Sequence, residues 1–82
     1  MTTKELAFQK IKERCGIIFN IPSDEITETT QFESDLNAKS VNITMMLNCL
    51  EDEFGVEIPF MTFRRNKTVG EAAEYISTLI DN

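Results

Sequence analysis

The 82 residues, 41% of them hydrophobic, suffice for one folded domain over 1–82 and are too few for two. The chain has no histidine, which removes Ser–His triads, Cys–His pairs and most transition-metal sites, so no metal is expected. A net charge of −6 repels phosphate backbones, excludes nucleic acid as a partner and favours partners with basic patches.

The first helix is expected over Thr3 to Phe19. Thr2 and Glu5 have capping-box spacing, and Leu6, Ala7, Ile11, Cys15 and Ile18 make one apolar stripe. Gly16 costs about 1 kcal/mol in a helix, which weakens the reading near its end. The segment is charged throughout and has no signal-peptide core. No apolar run approaches the ~18 residues of a membrane span, so a cytoplasmic location is expected. Cys15 and Cys49 read as small buried hydrophobes on helices rather than as a disulfide.

Residues 20 to 39 form a long connection, of a length that is often functional. Ile21, Ile26, Phe32 and Leu36 are its candidate anchors, with one short helical turn near Ser23 to Ile26. The second helix is expected from Ser40 to Phe54. Ile43, Met46, Leu47, Leu50 and Phe54 share one face, and Val41, Met45, Asn48 and Asp52 lie opposite. Gly55 reads as the terminating glycine, and Val56 to Pro59 as extended chain. A short third helix fits Phe60 to Arg65. Thr68 and Glu71 make a second capping box, opening a last helix over Val69 to Ile80 with Ala72, Ala73, Ile76, Leu79 and Ile80 inward. No period-two strand or repeat is visible. The fold class is all-α: a small four-helix bundle with a long first loop and a short third helix.

The stretch FESDLNAKSVNITMMLNCLEDEFGVEIP resembles the central region of acyl carrier proteins. The family pattern is roughly D-L-G-x-D-S-L-D, an apolar-periodic helix, then E-E-x-F-x-x-x-I-P. Asp35, Leu36, Ala38 and Ser40 match its first part, and Leu50 to Phe54, Ile58 and Pro59 its last. The flanks continue in register through Phe32, Thr68-Val69 and Ala72 to Ile76, so the resemblance covers nearly the whole chain.

That resemblance implies a bundle of acyl-carrier type and a role for Ser40. In the family this serine is esterified by 4′-phosphopantetheine, taken from coenzyme A by a phosphopantetheinyl transferase. The arm's thiol then carries acyl thioesters to synthases and acyl-transferring enzymes of fatty-acid, lipid or polyketide-type biosynthesis. The protein itself is expected to be a monomeric carrier and not an enzyme. Asp35, Leu36, Lys39, Val41, Asn42, Met45, Glu51 and Asp52 would form the flanking recognition surface. Ile43, Met46, Leu47, Leu50, Phe54, Ile58, Phe63 and Ile76 would form the core and the acyl pocket.

Two alternatives stand beside this. Ser40 has the residue type of a plain helix cap. The chain also reads as an unmodified interaction module of the same fold, using Met45 and the FMTFRR segment. A free-standing enzyme lacks a nucleophile–base pair, and no EF-hand loop occurs. Aminoacyl or peptidyl carriers usually have paired glycines before the serine, which DLNAKS lacks.

The departures from the family pattern are local. Lys39 stands where an acid is usual, and Asn37 where glycine is usual, which Asn tolerates because it enters left-handed backbone. Acids on the second helix gather at its far end, as Glu51, Asp52 and Glu53. Phe60, Met61 and Phe63 cannot all face the core of so short a helix. Arg64, Arg65 and Lys67 read as a solvated helix end, or as cations that bind an acidic partner or screen the acidic face. A specialised pathway with basic or mixed docking patches is expected, since charge sets partner choice.

Overall fold

A computed structural model describes residues 1–81. Four α-helices follow one another: α1 (Thr3–Phe19), α2 (Ser40–Phe54), α3 (Phe60–Arg64) and α4 (Val69–Asp81), with a single 3-10 turn at Ser23–Glu25. Among the described residues the only strand-like pairing is one antiparallel bridge, Gln31 to Thr68.

The helix ends follow from local chemistry. Glu5 N–H donates to Thr2 Oγ1 at 3.1 Å and Thr2 N–H donates to Glu5 Oε1 at 2.8 Å, the reciprocal cap expected of the pair. Hydrogen bonding from the Thr2 backbone N–H first, and then from the Thr2 side chain, holds the Glu5 carboxyl below its usual range. Gly16 does not end α1; it lies inside the helix, where a Cβ would come within 3.1 Å of the Ile21 carbonyl. The helix stops at Asn20, whose left-handed backbone (φ 56°) turns its N–H onto the Gly16 carbonyl. Gly55 (φ 64°) ends α2 in the same way.

The core is one cluster. Ala7, Ile11 and Cys15 of α1 are fully buried, as are Ala72, Ala73 and Ile76 of α4, and α1 packs chiefly along α4 and then on α2. Leu6, expected on the inward stripe of α1, is 40% exposed instead. The buried stripe of α1 is narrower than expected and runs through Ala7, Ile11 and Cys15, with Leu6 outside it. Cys15 is buried as expected, and burial pushes its thiol up to about 12. Cys49 is only half-buried, and both cysteines are free.

The long connection is held by backbone hydrogen bonds as well as by side chains. Ile26 and Phe32 are buried, while Ile21 and Leu36 are partly so. Val69 N–H donates to the Thr30 carbonyl and Gly70 N–H to the Glu28 carbonyl, each at 2.9 Å. Two of the orphan donors at the start of α4 are therefore satisfied by the loop, and Glu71 N–H by Thr68 Oγ1, the expected cap. Gly70 permits this: a Cβ there would lie 2.9 Å from both the Glu28 carbonyl oxygen and the Glu28 Cβ. Phe32 N–H donates to the Lys67 carbonyl at 3.0 Å, and the Phe32 ring packs on Phe63 with centroids 5.9 Å apart. The loop, α3 and the start of α4 thus form one block beside the amino end of α2.

Candidate functional site

That end of α2 is prepared by the turn before it. Asp35 Oδ2 accepts the Gln31 N–H at 2.8 Å, and Ala38 N–H donates to the Phe32 carbonyl at 2.8 Å. Asn37 takes left-handed backbone (φ 52°), the conformation for which glycine is the usual residue. Lys39, not Ser40, occupies the cap position. A lysine side chain has no acceptor, so it caps nothing. Asn42 Oδ1 reaches back to the Lys39 N–H at 2.8 Å, and Lys39 Nζ donates to Asn37 Oδ1 at 3.2 Å.

Ser40 is therefore the first residue inside α2, exposed, and its hydroxyl satisfies no backbone donor. The plain-cap reading of Ser40 fails on this geometry. Ser40 Oγ instead accepts a hydrogen bond from Arg64 Nη1 at 2.9 Å, across 24 positions of chain. The other terminal nitrogen, Arg64 Nη2, lies 3.9 Å from Glu33 Oε1, and the guanidinium carbon sits 5.9 Å from the Phe60 ring centroid. Arg64 is thus not simply a solvated helix end. Sequence reasoning gave it no place at the serine, and no periodicity or spacing in the chain links positions 40 and 64.

The flanking residues divide. Val41 is 63% exposed and Met45 is 48% exposed; with Met61, 69% exposed on α3, they are the large apolar side chains on the surface of these two helices. Asp52 is exposed, Leu36 and Asn42 are half-buried, and Asp35 is spent on the turn. Glu51 also has a structural bond: its Oε2 accepts the Ile58 N–H at 2.8 Å and ties the connection after α2 back to the helix. The large apolar side chains of the third helix separate as the short helix requires: Phe63 fully buried, Phe60 half-buried, Met61 out.

The residues expected for core and pocket are placed more deeply than a pocket needs. Ile43, Met46, Leu47, Leu50, Ile58, Phe63 and Ile76 are buried, and Phe54 is only half-buried. A cavity of about 160 Å³ opens beside Ser40's neighbours, between the loop and α3. Of the eight expected residues only Ile43 and Phe63 line it; Phe32, Ala38, Arg64 and Lys67 are among the others. Its wall comes largely from the long loop, which the helical periodicity of α2 does not describe.

Comparison with known proteins accords with this architecture. A family model described as "Phosphopantetheine attachment site" matches residues 9–76. The chain belongs to the acyl carrier protein family. It is 42% identical to the acyl carrier protein of Lactobacillus acidophilus and 41% identical to that of Lactobacillus johnsonii, in each case over 93% of this chain and 95% of the relative. It also superposes on a solved structure of the acyl carrier protein from Enterococcus faecalis with a TM-score of 0.77 and 35% identity, covering 96% of this chain and 99% of the other. The chain is accordingly a carrier and not an enzyme, and its family bears 4′-phosphopantetheine. Phosphopantetheinyl transferases and synthase enzymes are the partners that membership implies. No helix among the described residues is long and apolar enough to cross a membrane.

Proposed function

We propose that Ser40 bears the phosphopantetheine, and that the chain, as one carrier unit over 1–82, presents acyl thioesters to the enzymes of a specialised fatty-acid, lipid or polyketide-type pathway. The observation that carries this reading is the state of the Ser40 hydroxyl. It lies within the matched span, is exposed at the first residue of α2, and has no capping duty to give up. The other three serines are less suited: Ser34 Oγ donates to Gln31 Oε1 within the loop, Ser77 is buried and donates to the Glu74 carbonyl, and Ser23, though exposed, opens only a three-residue 3-10 turn followed by the acids Asp24 and Glu25.

The residues around Ser40 fit an attached phosphodiester. A negative charge at this point meets the positive end of the α2 dipole, with Lys39 and Arg64 on either side. Arg64 donates to Ser40 Oγ, and no acceptor among the described residues takes the hydroxyl proton. The base that removes this proton when the ester forms therefore belongs to the transferase. When bound, the arm supplies the thiol that forms the acyl thioester. The chain's own thiols do not serve: Cys15 is buried with its pKa raised, and Cys49 lies on another face with the α1–α2 groove.

The partners proposed are a phosphopantetheinyl transferase and acyl-handling enzymes with basic or mixed docking patches, met by a monomer in the cytoplasm. Exposed Val41 and Met45 with the cation Lys39 at one end of α2, and Asp52 and Glu53 at the other, support that mixed character. The test is intact mass after incubation with coenzyme A and a transferase from the native source. Ser40 should gain the arm's mass and Ser40→Ala should not. A folded wild-type chain that never gains it, beside a carrier that does, would return the chain to the unmodified-module reading.

A further inference from the structure

We infer that Arg64 is a positioning residue that anchors the phosphodiester of the arm, an inference that rests on Ser40 being the attachment point. Arg64 Nη1 is already at 2.9 Å from the oxygen to which phosphorus would be bonded. The two non-bridging oxygens of that phosphodiester stand only two bonds beyond Oγ. A small torsion of either side chain moves the guanidinium from Oγ onto them. The planar fork of arginine suits such a pair of oxygens, whereas Oγ offers it a single acceptor.

The competing partner is weak. Glu33 approaches Nη2 only at 3.9 Å, and both side chains are open to water. The phosphodiester would be fixed within two bonds of Oγ, an atom the guanidinium already reaches at 2.9 Å, whereas the exposed Glu33 carboxylate comes no nearer than 3.9 Å. Modification thus exchanges the Glu33 contact for the phosphodiester.

Arg64 is held for this task from below. It follows Phe63, the fully buried side chain of α3, which packs on Phe32. Its own guanidinium leans over Phe60. Arg64 also lines the cavity between loop and α3. An arm fastened there leaves Ser40 toward α3 and starts at the rim of that cavity, rather than projecting straight from the end of α2.

The experiment uses the full chain carrying its arm, as wild type, Arg64→Gln and Arg64→Lys, each modified to completion as read by intact mass. The readouts are the 31P resonance of the phosphodiester and the side-chain 15N resonance of Arg64. An exposed contact of this class favours the anchored arm over the free one by about 1.5- to 5-fold. Wild type should therefore show a shifted 31P signal that moves toward the Arg64→Gln position as salt is added, because salt screens exposed pairs. The Arg64 signal should shift on modification, and Arg64→Lys, a point charge without a fork, should fall between. Identical 31P signals and salt dependence in wild type and Arg64→Gln would overturn the inference. So would failure of Arg64→Gln alone to accept the arm, which would move the role of Arg64 to the transferase encounter. Failure of wild type itself to gain mass is a different result: it removes the Ser40 reading and the anchor with it.

Discussion

On α1 and α4, seven side chains from Ala7 to Ile76 are fully buried and none of them carries a polar atom beyond one thiol. At the amino end of α2, within the same small domain, Lys39, Ser40 and Val41 are all exposed. Hydrogen bonds organise that end instead of apolar packing: the Lys39 N–H donates to Asn42, and two side-chain pairs, Lys39 to Asn37 and Arg64 to Ser40, complete the set. The first region holds the chain together. The second holds one hydroxyl outward where another protein can reach it. Stability and presentation are thus separated in space, and substitutions should separate them in measurement.

The largest stability loss is expected at Phe63, the residue that joins the two regions. Phe63→Ala removes a fully buried ring and should cost about 3–5 kcal/mol, read by chemical denaturation. That is a large part of the stability of a small domain. Equal loss from an alanine at exposed Met61 would break the division drawn between inward and outward faces of α3.

Cys15 marks the buried side by its titration. Its folded thiol is raised to about 12 against a reference of 9.0, so the folded state keeps the proton longer than the unfolded one. The contribution is complete below about pH 9 and declines as pH rises toward about 12. Denaturation curves across that window should weaken in wild type, and Cys15→Ala should flatten the part due to the thiol. Cys49, half-buried, should react with a thiol reagent in the folded protein well before Cys15 does.

Gly70→Ala presses a methyl group onto the Glu28 backbone, where the loop satisfies the start of α4. Overpacking against backbone should outweigh the gain in helix propensity and destabilise by about 1–3 kcal/mol. A stabilised Gly70→Ala would show that the loop is not docked there as described.

Ser40→Ala should have the smallest effect on stability, within about 0.5 kcal/mol, because Ser40 is not the cap of α2. The same change should abolish loading of the arm. A loss near the 1 kcal/mol typical of a removed cap would instead restore the structural reading of the serine.

Much of this was legible in the residues. Apolar spacing and end signals, Thr2 with Glu5, Gly55 and Pro59, placed α1, α2 and the start of α3 as they occur, since each depends on neighbours within four positions. The family resemblance carried Ser40 into view. Exceptions arose where contact is made at a distance. Leu6 fits the stripe of an isolated α1 but lies outside the buried strip of Ala7, Ile11 and Cys15. Glu51 reads as a surface acid until the chain after α2 turns back and offers it the Ile58 N–H.

The sequence by itself determined the four helices and their ends, because helical periodicity, capping and turn chemistry are local properties of the chain, and its resemblance to acyl carrier proteins pointed to the serine. Only the tertiary structure decided which cation meets that serine. Folding of the loop and α3 around Phe32 and Phe63 brings Arg64 to Ser40, and a contact between residues 24 apart leaves no trace in local pattern.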